Sequence, residues 1–146
     1  MTRALPDPAR HAAFYEGVAS KRAFAWVIDS IITGFAAVMI LPFTAFVAIL
    51  IFPLLFGTVN LAYRSVTLAN FSATPGMWLL GIEFRQSDGR RFDAPTAILH
   101  TLGTMFTWTT VLPQIGSAAL MAMSPRGQGL TDLVLGTVVI RRPGAM

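Results

Sequence analysis

Arg22, Asp29 and Asp132 are the residues of this chain best placed to do chemistry. Arg22 and Asp29 stand seven positions apart, close to two α-helical turns, so they share a face with backbones about 10 Å apart along the axis. Asp29 lies just inside the leading edge of an apolar run, because no residue from Ser30 to Tyr63 is charged. A carboxylate at that depth in a bilayer is costly and persists where it is paired or functional. The functional reading makes Asp29 a proton or Na⁺ site, with oxygens from nearby side chains completing the shell of a hard cation. Thr33 is on its face; Asn60 and Thr107, with Thr58 and Thr104, offer oxygens from other helices. His100, a residue type that changes charge near neutrality, opens the last apolar stretch and offers proton sensing. Asp132, in the basic C-terminal segment, can accept a bidentate contact from Arg22 and clamp that segment to the first helix. The same residues also admit a structural reading. Polar pairs within membranes act as interhelical glue worth on the order of 1 kcal/mol, and a mid-helix threonine usually bonds its own i−4 carbonyl.

Composition narrows the classes. Only 12% of the 146 residues are charged, against about 25% in soluble domains, and the mean hydropathy is +0.62. Ser30–Tyr63 and Ala94–Pro125 carry no formal charge, and each exceeds the roughly 20 residues of one helical crossing. So short a chain could hardly bury two such stretches in a soluble core. The arginines flanking them read as topological anchors near anionic headgroups rather than as a nucleic-acid surface. The polar N-terminus, with Asp7, Glu16 and two prolines, is not expected to be a cleaved signal peptide. With no cysteine there are no disulfides, thiolate metal sites or cysteine nucleophiles. No histidine-rich metal spacing, phosphate-binding glycine loop or nucleophile motif is present, so no enzyme, cofactor or metal is expected.

The elements that must position these residues follow in order. Residues 1–19 read as a flexible cytoplasmic tail, 20–142 as the membrane domain and 143–146 as a C-terminal tail. Ser20 is the expected cap of a first helix that passes Asp29. The turn to a second helix falls at Pro42 or Pro53, the later position being preferred, and Arg64 then snorkels toward the cytoplasm. Thr74-Pro75-Gly76 is a helix start, threonine as cap and proline at the first position. Alternation in Ile82–Gln86 and Arg90–Phe92 around Asp88-Gly89 predicts a cytoplasmic β-hairpin, which a C-terminal strand, Thr137–Ile140, could join. Pro95–Met123 is one tilted helix or a broken hairpin. Pro113, Gln114 and Gly116 favour the break, which also returns Arg126, Arg141 and Arg142 to the side of the other basic loops.

Three segments carry a family signal: Lys21-Arg22-Ala23-Phe24-Ala25-Trp26-Val27-Ile28-Asp29, Thr74-Pro75-Gly76 through Ile82, and Leu130-Thr131-Asp132 through Val139. In this order and spacing they resemble the RDD family of small bacterial membrane proteins, named for one arginine and two aspartates. Arg22, Asp29 and Asp132 occupy the matching positions. The chain departs at Met77, where the family commonly has lysine, and near His100, where it commonly has arginine. The resemblance implies a small helical membrane unit whose activity is mostly unassigned, some members looking like Na⁺/H⁺ antiporters.

The expectation is therefore an all-α membrane protein: a small transmembrane helical bundle of three spans, the last broken into a hairpin, with a short cytoplasmic β-hairpin. Its place is the bacterial inner membrane, both termini cytoplasmic, its partners the lipid bilayer, Na⁺ or H⁺, and a second copy or another membrane protein. It is read as a small transporter or transporter subunit moving cations through Asp29. The alternative is a non-catalytic accessory or scaffold protein in which Arg22, Asp29 and Asp132 are structural.

Overall fold

The computed structural model describes residues 5–45 and 47–145. Of the expected tails, residues 1–4 and residue 146 lie outside the described residues. Six α-helices and two strands follow in order: α1 (Val18–Ile40), α2 (Phe52–Phe71), α3 (Pro75–Leu79), β1 (Ile82–Gln86), α4 (Ala94–Thr109), α5 (Val111–Met123), α6 (Leu130–Leu135) and β2 (Thr137–Arg141). At 1.5 Å per residue α1 and α2 are about 34 and 30 Å long. Together with the turns at its ends, α1 is the one helix among the described residues long and apolar enough to cross a membrane.

α1 starts earlier than its expected serine cap. Gly17, in the left-handed region at φ 68°, precedes it, and Ser20 lies within the helix. The segment ahead of α1 is not a loose tail either. Tyr15 is buried with Val138 and Ile140 of β2, and its hydroxyl donates to the Pro6 carbonyl at 2.7 Å. At its other end α1 stops at Ile40, and the chain continues through 3₁₀ turns at Leu41–Thr44 and Val47–Ile49. Pro42 lacks an N–H and its ring crowds the carbonyl four residues back, so the α pattern ends before it rather than near Pro53. Pro53 instead occupies the first turn of α2, where an N–H has no partner anyway.

The long apolar C-terminal stretch is broken, upstream of where its proline lies. Thr110 is extended (φ −126°, ψ 121°), and Pro113 sits in the opening turn of α5. The clash of a proline ring falls on the carbonyl four residues earlier, here Thr109, which moves the break ahead of Pro113, Gln114 and Gly116. α5 then folds back toward the start of α4, since Met121 and Ser117 crowd Gly129 while Gly103 of α4 meets Thr131 of α6.

The expected C-terminal strand forms and joins Ile82–Gln86, whereas the expected local hairpin is corrected. β1 pairs antiparallel with β2, with Phe84 opposite Val139, and residues Arg90–Phe92 form no strand. The local turn is present, as the Gln86 N–H donates to the Arg90 carbonyl at 2.9 Å. Beyond it Phe92 leaves the ladder: its N–H donates to Ser72 Oγ and its ring packs on Phe84 and His100. Burial of that one ring outweighs continued local pairing.

Two kinds of interior result. Beneath the sheet lies an apolar core of Val18, Leu68, Met77, Ile82, Phe84 and Phe92. Between the long helices the buried residues include Asp29, Thr33, His100, Thr101 and Thr107, while Phe43 and Leu112 are 88% and 82% exposed. An apolar exterior of this extent marks contact with another apolar phase.

Candidate functional site

Asp29 is buried on α1 and is met by three donors from elsewhere in the chain. Its Oδ1 accepts from the Tyr63 hydroxyl of α2 at 2.8 Å and from the Gly76 N–H at 2.9 Å. Its Oδ2 accepts from the Thr74 hydroxyl, which in turn accepts from the Met77 N–H at 3.3 Å. Asp29 thus supplies, from another helix, the negative charge that the opening turn of α3 attracts. Gly76 is required here. A Cβ at that position would stand 2.5 Å from the Ala25 carbonyl oxygen and 2.8 Å from Asp29 Oδ1. Thr74-Pro75-Gly76 therefore reads as one device: a cap, a helix-starting ring, and a bare backbone that lies against α1.

The second station gathers around Asp132, in the first turn of α6 and 1% exposed. Its Oδ2 accepts from Arg22 Nη1 at 2.5 Å and from the Gly129 N–H at 2.9 Å, so it caps its own helix while bridging to α1. Its Oδ1 accepts from the Thr137 hydroxyl at 3.0 Å and faces His100 Nε2 at 2.8 Å. The Arg22 contact is single rather than bidentate, because Nη1 also donates to the Gly127 carbonyl at 3.1 Å, and the guanidinium stacks over Phe84. Burial alone would raise the Asp132 carboxyl. The Arg22 charge and the hydrogen bonds from His100 and Arg22 outweigh it and hold the group well below the usual carboxylate range.

Arg22, Asp132 and His100 therefore converge, whereas Asp29 belongs to a neighbouring station with Tyr63, Thr74 and Gly76. Both stations open on one cleft of about 320 Å³ between α1 and α5, lined also by Arg64, Thr107 and Gln114. A second cavity, of about 460 Å³, is lined by Asp29, Asn60 and Arg64. Trp26 and Trp108 stack at 4.5 Å and 6° and line both cavities.

The family model of the RDD family matches residues 17–136. This chain belongs to the RDD family. Of the three residues that carry the resemblance, Arg22 and Asp132 pair, and Asp29 holds the Thr-Pro-Gly turn. No curated protein and no solved structure matches the chain. Of the supporting candidates, Thr33 and Thr107 turn their hydroxyls onto backbone carbonyls, those of Asp29 and Thr104, at 2.8 and 2.7 Å. Asn60 lines the second cavity and His100 the Asp132 station.

Sequence reasoning missed Tyr63, the last residue of the uncharged run. It also read Arg64 as snorkelling outward, whereas Arg64 lines both cavities with its Nε buried. A signal for Arg64 existed, since it is the single charge on α2.

Proposed function

We propose that this RDD protein is a multi-pass inner-membrane protein acting as a non-catalytic accessory or organising subunit, with Arg22, Asp29 and Asp132 as structural residues. The observation that carries this reading is the occupancy of Asp29, whose two oxygens already accept from Tyr63, Thr74 and Gly76. A cation carrier needs a carboxylate that can exchange ligands, and this one is built into the joint between α1, α2 and α3. In the proposed topology α1, α2 and the α4–α5 hairpin make three passes, with both termini on the cytoplasmic side. Support comes from charge: Lys21, Arg85, Arg90, Arg91, Arg126, Arg141 and Arg142 belong to segments at the sheet-bearing end, and the turns at the other end carry none. The occupants of its surface would be lipid and a membrane-protein partner or second copy.

A second reading, Na⁺ or H⁺ transport, is favoured by one fact: Asp29 lines both cavities and is reachable from them. Asp29→Asn separates the two. Under the structural reading it lowers stability in detergent by on the order of 2 kcal/mol, because hydrogen bonds to a charged acceptor are weakened, and wild-type liposomes show no pH-linked cation flux. A wild-type flux that disappears in a fully stable Asp29→Asn variant would overturn it.

A further inference from the structure

Arg64 is the only charged residue of α2, and its Nε is buried without a hydrogen-bond partner. No carboxylate oxygen of the described residues lies within 4.0 Å of its guanidinium. The neighbouring charges are engaged: Asp29 by Tyr63, Thr74 and Gly76, and Arg22 by Asp132. Those donors to Asp29 are neutral, so its charge offsets that of Arg64 at longer range, and what the cleft leaves unmet is the hydrogen-bonding capacity of the Arg64 guanidinium. Gln114 of α5 lines the same cleft.

The cleft exists because α1 packs on α2 and α3 while α5 packs on α4 and α6, leaving a gap between α1 and α5. Its walls are largely apolar, with Trp26, Met77, Trp108 and Met121, and it extends to Arg22 and Gly129 at the basic end. Guanidinium donors left unmet in a low-dielectric layer are costly and are best met by anion oxygens, most tightly in the fork-to-oxygen geometry made with phosphate. Asp29 lines the same cleft, and its charge disfavours a dianion over a monoanion. We propose that Arg64 and Gln114 bind the phosphodiester of a net-anionic membrane phospholipid, a zwitterionic headgroup being disfavoured because its own cation competes with the guanidinium for that phosphate, with the lipid chain lying along the apolar wall between α1 and α5. About 320 Å³ holds a headgroup and the start of a chain, the remainder staying in the bilayer. Anionic lipid is abundant in the cytoplasmic leaflet, so the occupant is at hand.

The proposal rests on the membrane-embedded reading alone, and the two fail separately. A chain that stays in the aqueous phase without detergent sinks the embedding before any lipid is added. The test is native mass spectrometry and thermal unfolding of the full chain in a neutral maltoside, titrated with phosphatidylglycerol, phosphatidylcholine or inorganic phosphate. One phosphatidylglycerol should be retained per chain and raise Tm, with phosphatidylcholine at least about tenfold weaker. Arg64→Gln should lose at least about tenfold in phosphatidylglycerol affinity, and Arg91→Gln, in the exposed loop, should lose none. Ala118→Trp, which fills the cleft from an exposed position of α5, should abolish retention and decides the matter if Arg64→Gln does not fold. Equal retention of phosphatidylcholine, unchanged binding in folded Arg64→Gln or Ala118→Trp, or full displacement by millimolar phosphate would each overturn the lipid site.

Discussion

Asp132 carries four partners on two oxygens, and its charge is stabilised by them more than it is penalised by burial. Its folded pKa lies below the unfolded carboxyl's value of about 3.9, so the stability it contributes is fully present above about pH 4. That contribution is lost as pH falls further, toward the folded value. Wild-type Tm in detergent should therefore fall more steeply on acidification through pH 4 than that of Asp132→Asn, which has no carboxyl to protonate. Parallel curves would show that the Arg22 contact contributes nothing to folding. The Arg22–Asp132 partnership was legible from residue types, since a buried carboxylate calls for a guanidinium. The Asp29 partners were not. A tyrosine and a Thr-Pro-Gly turn carry no charge that would point to an aspartate more than thirty residues away.

Prolines show how much of an element can be read locally. Pro53 and Pro75 stand in opening turns, as their missing N–H dictates. Pro42 and Pro113 each interrupt a helix ahead of themselves, so the break is foreseeable from sequence but its position is displaced by the ring's reach. The hairpin signal at Asp88-Gly89 predicted the turn correctly, yet β1 found its ladder partner in β2, some fifty residues on. Local pattern specifies that a strand exists; competition for a core, here by Phe92, specifies its neighbour. The folded-back α5 makes a measurable claim. Spin labels at Ala94→Cys and Met123→Cys would be about 44 Å apart on one continuous helix, and the measured distance should be well short of that. A value near the straight-helix figure would remove the α1–α5 cleft altogether.

Over the whole molecule, the charge map and the burial map agree. Apart from Arg64, basic residues gather with the sheet and its apolar core, while the long helices bury polar side chains and expose phenylalanine, leucine and isoleucine. Because the chain has no native cysteine, single cysteines report the proposed topology cleanly. Ser87→Cys should react with an impermeant maleimide from the cytoplasmic side only, and Thr44→Cys and Thr110→Cys from the opposite side or not at all. Labelling of Ser87→Cys and Thr44→Cys from the same side would contradict three passes.

Apolar runs, segregated charge and the three ordered motifs determined by themselves that this chain is a helical membrane-family protein with Arg22, Asp29 and Asp132 at its centre, because hydropathy and charge act additively along a chain. What only the tertiary structure decided is the division of that centre into two stations, the inward turn of Arg64 and the cleft it lines. Those depend on which helix faces meet, and the meeting is set by packing at Gly76, Phe92 and Thr110 rather than by any residue's own preference.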